Sequence, residues 1–318
     1  IAKPRRQRTQ HGVFGFQRHV GELQTAQDVH QGCWAWAAIV GALAGIFHLT
    51  GPSPEASEAF SLACAAALLA GAYFLGRLVG GPWTGAALVA GLAFWPRLMA
   101  AATVGRPEAM LGAVTVWGFV ALARGTLAGA ALAGLLAGVA PGIHLNALAG
   151  IVAQSAWALT ERRGMRLWAV WGVGLLVGLG LIWPWTRAYW RDVFAGGSVQ
   201  PMAGAELAGA ADLLGRLRHW VDTRDIPVTS LLLGRPSLAE PMAVLGLLWA
   251  LLIPEARRRY RPALAAVLAV VVFFVVMVRR PFALYAVPFG VLWLLPAAGA
   301  VGTVLASGWR VWRERSGR

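Results

Sequence analysis

The ionisable residues of this chain fall into two sets, and their spacing suggests different work for each. The first set forms short charged knots between long apolar stretches: Arg77, Arg124, Glu161-Arg162-Arg163-Gly164-Met165-Arg166, Glu255-Ala256-Arg257-Arg258-Arg259-Tyr260-Arg261, and Arg310 to Arg318. Counting apolar stretches between the knots puts them all on one side of a bilayer, the positive-inside pattern. The second set falls on the opposite side: Arg97, Arg106, His144, Arg187, Arg191, Arg216, Arg218, Arg224, Arg235, Arg279 and Arg280. Topology does not require these. Cations there suit an anionic ligand such as a lipid phosphate, because the planar guanidinium fork matches phosphate oxygens.

Within the outer set, Arg106-Pro107-Glu108 opens an apolar stretch. A charged pair near the membrane is costly and marks a functional candidate. The same residues also suit a helix start, with Pro107 at its first position and Glu108 favourable to the N-terminal dipole. His144 and Asn146 follow a Pro141-Gly142 break. Arg279-Arg280-Pro281 joins two apolar stretches with a double arginine, against the topology rule; snorkelling to headgroups is the bland alternative. In the polar N-terminal segment, Glu22, Asp28 and His30 are the available acid/base groups. Transfer of a sugar to an acceptor needs a carboxylate close to the carbon under attack. No phosphate-binding Gly-rich loop, zinc-ligand spacing, dinucleotide fingerprint or nucleophilic-serine elbow is present, so no ligand set for a metal can be named.

The elements that must carry these residues are apolar helices. The chain of 318 residues is 58% hydrophobic and only 13% charged, well below the ~25% charge of a soluble domain, so it reads as a multi-pass membrane protein. Its net charge of +14 is distributed between apolar spans and not along one polar face, which argues against nucleic acid. Cys33 and Cys64 have no metal spacing. The expected organisation is an outer loop over 1–33, a juxtamembrane helix over 34–50, membrane helices over 57–185, an outer loop over 186–236, further membrane helices over 237–306, and an inner tail over 307–318. The spans expected within this frame are 57–80, 83–103, 107–124, 126–140, 143–160, 166–185, 237–254, 262–278 and 282–306. The short pair 126–140 and 143–160 is expected to turn below the outer surface and leave a cavity mouth holding His144 and Asn146. In the long loop, Leu207, Ala210, Leu214, Leu217 and Val221 recur at helical spacing, predicting an amphipathic helix on the membrane.

Several segments together resemble the polyprenyl-phosphate-dependent GT-C glycosyltransferases, in particular family 39-like members related to protein O-mannosyltransferases and the lipid A aminoarabinose transferase. His30-Gln31-Gly32-Cys33-Trp34 resembles the family's His-Pro-Pro-Leu segment without its prolines, and Gly105-Arg106-Pro107-Glu108 its outer Arg-x-Glu/Asp segment. Gly134 to Ala140 followed by His144-Leu145-Asn146 resembles its glycine-rich hairpin with His-x-Asn. Trp183-Pro184-Trp185 with Tyr189 and Asp192 resembles its junction with the outer loop. Arg279-Arg280-Pro281-Phe282-Ala283-Leu284-Tyr285-Ala286-Val287-Pro288 resembles its Lys/Arg-x-x-x-Tyr-x-x-Pro stretch.

The resemblance implies an all-α, polytopic transmembrane bundle of GT-C type in the inner cell membrane, with its active site facing the exoplasm. It implies transfer of a sugar from a polyprenyl-phosphate donor to a glycan, lipid or protein acceptor. Arg106, Arg279, Arg280 and Tyr285 would bind the donor phosphate, and His30, His144 and Asn146 the sugar or acceptor. Asp28, Glu22 and Glu108 are the candidate catalytic carboxylates. The family allows a divalent metal. Its catalytic acid precedes the His-Pro-Pro segment by some way, and no acid stands near Arg8 to His11. The expectation is therefore a further helix and acid upstream of Ile1, with Glu22 or Asp28 as substitutes. A lipid or solute transporter is the alternative; Pro141 would interrupt one of its helices, but no second matching half is visible.

Overall fold

A computed structural model of the chain describes residues 53–103, 107–144, 146–161, 164–194, 239–277 and 287–316, with Gly45, His48, Leu49 and Gly51 ahead of them. The described elements are helical, with no strand among them: α1 (Pro54–Gly80), α2 (Pro82–Ala93), α3 (Pro96–Thr103), α4 (Pro107–Ala123), α5 (Leu127–Val139), a 3-10 turn (Ala140–Gly142), α6 (Ala147–Thr160), α7 (Gly164–Phe194), α8 (Ala239–Leu252), α9 (Pro254–Met277) and α10 (Gly290–Ser316).

Local chemistry sets the boundaries. Ser53 caps α1, its Oγ accepting from the Ala56 amide at 3.1 Å, with Pro54 in the first turn. The corners after α1 and α4 are sharp and need left-handed backbone, supplied by Gly81 (φ 99°) and Gly125 (φ 64°). Thr126 then caps α5 through a 3.0 Å bond from the Gly129 amide.

Successive passes alternate in direction, and this gathers the charged knots at one end. The Arg261 guanidinium donates to the Thr160 carbonyl, joining the third and fourth knots. Trp157 Nε1 donates to Glu161 at 3.1 Å, and its ring lies 5.3 Å from Phe119, near Arg124. Tyr260 packs its hydroxyl against Gly80 and Gly299, and Trp83 lies 6.1 Å from Trp309. At the opposite end lie Trp95, the start of α4, the 3-10 turn, and Phe274 against Phe289 at 5.9 Å.

Among the described residues, three helices, Glu55–Gly80, Gly164–Arg187 and Val287–Ser316, are long and apolar enough to cross a membrane. The pair Pro82–Ala93 and Pro96–Thr103, bent by 65°, makes a fourth if it is one broken span. Large apolar side chains face outward along several helices, including Leu176 (69% exposed), Val304 (71%) and Leu268 (63%). An apolar exterior of this kind fits lipid, not water. Two indoles find polar partners inside: Trp171 Nε1 donates to Gln154 at 3.2 Å and Trp117 Nε1 to the Ala67 carbonyl at 3.0 Å.

Several boundaries differ from the sequence expectation. The expected span 83–103 is broken at Phe94–Trp95, where Pro96 cannot continue the ladder of α2. The knot 255–261 is not a loop but the first turns of α9, with only Ile253 between α8 and α9. Arginine is a good helix former, and Pro254 suits a first turn. The segment 307–318, expected as a tail, is helical to Ser316, and α7 runs on through Pro184 to Phe194. The amphipathic stretch around Leu207 to Val221 lies outside the described residues.

The up-and-down order makes a topological prediction. Single cysteines placed at Arg258 and Arg313 in a variant lacking Cys33 and Cys64 should react together with an impermeant thiol reagent, and one at Ser198 oppositely. Equal labelling of Ser198 and Arg258 in intact cells would remove the positive-inside assignment.

Candidate functional site

The site builds around the break between α5 and α6. Pro141 has no amide hydrogen, so the α-helical ladder stops and the chain tightens into a 3-10 turn, with Ile143 N–H donating to the Ala140 carbonyl at 2.8 Å. His144 follows, half-buried, and its Nδ1 accepts from the backbone N–H of Asn146 at 3.1 Å. That bond requires an unprotonated Nδ1, so the neutral ring carries its proton on Nε2.

Asn146 occupies the N-cap position of α6 but makes no capping bond with its side chain. It is only 6% exposed, and among the described residues its buried Nδ2 has no hydrogen-bond partner. An unsatisfied buried amide costs about 1–3 kcal/mol, and such exceptions call for a reason. A donor reserved for a ligand is one.

Glu108 is the second residue of α4 and fully buried, and it is engaged in an interaction within the fold. Its carboxylate stands in the first turn, where the helix dipole favours negative charge. One turn on, Leu111 packs with Ala140, Ile143 and Ala147, so the face of α4 that carries both residues meets the break that carries His144 and Asn146. The next layer fixes this junction. A Cβ at Gly112 would meet Pro288 Cα at 3.5 Å; one at Gly150 would meet Thr115 Oγ1 at 3.5 Å and Phe289 Cε1 at 3.8 Å. Gly112 stands one turn from Glu108 and Gly150 one turn from Asn146. The start of α4, the start of α6 and the Val287–Phe289 turn therefore converge at the end opposite the charged knots.

Of the residues singled out from sequence, Glu108, His144 and Asn146 are thus brought to one junction. Arg106, Glu22, Asp28, His30, Arg279, Arg280 and Tyr285 lie outside the described residues. The chain that carries the last three is bounded by Met277 and Val287, and Pro288 returns beside Gly112. Among the described residues, no three His, Cys, Asp or Glu side chains come together to hold a metal ion.

Gly134 and Gly138, in the segment that precedes this break, are positioned by a different helix. Both face α7: a Cβ at Gly134 would strike the Trp171 carbonyl, and one at Gly138 the Leu175 carbonyl, with Gly178 Cα at 2.8 Å. Gly174 and Gly178 reciprocate against Ala131 and Leu135. The signal for this was in the sequence, as a G-x-x-x-G pair in each of two apolar segments, the pattern by which helix backbones approach closely in membranes.

No protein-family model, curated protein or solved structure matches this chain.

Proposed function

We propose that the protein is a membrane glycosyltransferase that takes a sugar from a polyprenyl-phosphate donor and passes it to an acceptor on the face opposite the arginine knots. The observation that carries this reading is the junction of Glu108, His144 and the unpartnered amide of Asn146 at that end. A buried amide N–H without a partner beside a helix break in an apolar bundle is costly and suits a ligand that completes it. The motif resemblances above supply the donor class.

In this reading the polytopic bundle holds the donor phosphate on Arg106, Arg279, Arg280 and Tyr285. The acceptor oxygen attacks the anomeric carbon, the bond from that carbon to the phosphate oxygen breaks, and its electron pair leaves with the polyprenyl phosphate. Arginines beside the leaving group stabilise that charge. The acceptor's proton passes to a carboxylate; Glu108 is the candidate within the described residues, with Asp28 and Glu22 the candidates outside them. Asn146 Nδ2 is a donor able to hold a sugar hydroxyl, with His144 beside it.

The direct test reconstitutes the purified protein in liposomes with a polyprenyl-phosphate-linked sugar and follows release of polyprenyl phosphate. No release from a panel of sugar donors, alongside solute flux through the same vesicles, would favour a transporter instead. The arginine assignment has its own test. Arg280→Ala should weaken donor binding by about 2–5 kcal/mol, the range for truncating one partner of a buried charge-assisted contact. Donor affinity unchanged in Arg279→Ala, Arg280→Ala and the double variant would remove both from the site.

A further inference from the structure

An apolar groove of about 890 Å³ runs between α2, α8 and α10, away from the junction just described. Small residues of α2 (Ala86, Ala90, Gly91) form its floor, and Ala298, Val301 and Leu305 form one wall. It begins at Trp83, beside the arginine knots, and ends at Phe94, where the chain bends into α3. From Trp83 to Phe94 the helical rise is about 16 Å, and from Leu294 to Leu305 along α10 it is the same. That is roughly half of a ~30 Å hydrocarbon core, about the reach of one extended acyl chain.

The groove does not stop at a blank surface. Ala298, Val301 and Leu305 continue along the same face of α10 to Trp309 and Trp312, whose rings stack at 4.8 Å, and Trp83 closes on Trp309 at 6.1 Å. The Arg313 guanidinium lies 5.9 Å over the Trp309 ring. Arg310 is drawn back along the helix toward Ala306 and Ser307. These last turns carry exposed Arg310, Arg313 and Arg315 against the single acid Glu314. Amphipathic indoles mark the headgroup level, and arginines beside them make a site for negative charge.

We infer that this groove binds an anionic glycerophospholipid of the leaflet on the arginine side, one acyl chain lying along Ala86 and Ala90 and the headgroup meeting Arg310 and Arg313 over the tryptophan platform. The depth selects the occupant. A single acyl chain matches the groove's length and narrow, small-residue floor. The charge at its mouth selects an anionic over a zwitterionic headgroup. The inference rests on the membrane reading of the helices and not on the proposed sugar transfer, whose donor would sit at the other end.

The test is lipid titration of the delipidated full chain by native mass spectrometry, with phosphatidylglycerol and phosphatidylcholine of identical acyl chains. Phosphatidylglycerol is expected to bind at least about tenfold more tightly. Arg310→Gln with Arg313→Gln should abolish that preference and leave phosphatidylcholine affinity unchanged. Ala86→Phe and Ala90→Phe, each at an exposed position of the floor, should weaken both lipids at least about tenfold by filling the groove. Equal affinity for the two lipids, or wild-type binding in both phenylalanine variants, overturns the inference. So does a dimer that persists without lipid and is lost in Ala90→Phe. Should the phenylalanine variants fail to fold, the arginine pair, on the surface, still decides by the headgroup preference alone.

Discussion

Gly134→Leu and Gly138→Leu are each expected to prevent stable folding, with a loss above about 4 kcal/mol. The reason is backbone contact, not side-chain packing. A Cβ at either position would overlap a carbonyl of α7, and the reciprocal glycines Gly174 and Gly178 lie as close to Ala131 and Leu135. Relief would require α5 and α7 to separate along their shared length. In an apolar solvent, close packing is much of what drives helix association, so the separated pair has little to hold it. Gly172 and Gly180, on the same helix, have nothing among the described residues within 4 Å of a new Cβ. Alanine at these positions should leave stability unchanged or raise it by up to about 1 kcal/mol. Thermal unfolding in detergent checks both halves of the prediction. A wild-type midpoint for Gly134→Leu would mean that the two backbones do not touch.

The second large effect is expected at the polar junction. If Glu108 is the carboxylate of the proposed sugar transfer, Glu108→Gln should lower its rate by about 10²–10⁴-fold, the usual contribution of a positioned acid or base, with the fold retained. A purely structural Glu108 gives the opposite pattern. Loss of its charge from the first turn would then cost about 0.3–1 kcal/mol of stability and leave turnover alone. Asn146→Leu separates the roles more sharply. The buried Nδ2 has no partner among the described residues, so an apolar replacement should raise the melting temperature while, on the proposed reading, weakening donor or acceptor binding. A fall in both stability and binding would show that Asn146 supports the turn itself.

The sequence by itself determined that this is a helical, apolar chain whose arginines cluster between spans, and it located the Pro141-Gly142 break. Those properties are local. Hydropathy fixes which stretches become helices, Pro96 and Pro141 interrupt them, and Gly81 and Gly125 supply the corners. It also brought Glu108, His144 and Asn146 to the same end, because counting alternate passes needs no knowledge of packing.

Tertiary structure decided the rest. The knot at 255–261 could be read as a loop because charge and polarity suit one. Its helical state follows from docking, with Tyr260 set among Gly80, Thr84 and Gly299 and Arg261 reaching the Thr160 carbonyl. The partner of the Gly134–Gly138 face was ambiguous, since α6 follows α5 in the chain and α7 follows α6. Only the matching glycines at 174 and 178 select α7, and that match joins residues far apart in sequence. The groove along α2 was not legible at all. Ala86, Ala90 and Gly91 read as ordinary apolar helix; their small size becomes a binding surface only when α8 and α10 are set on either side. Periodicity states which residues share a face, whereas what that face meets depends on which helices pack beside it.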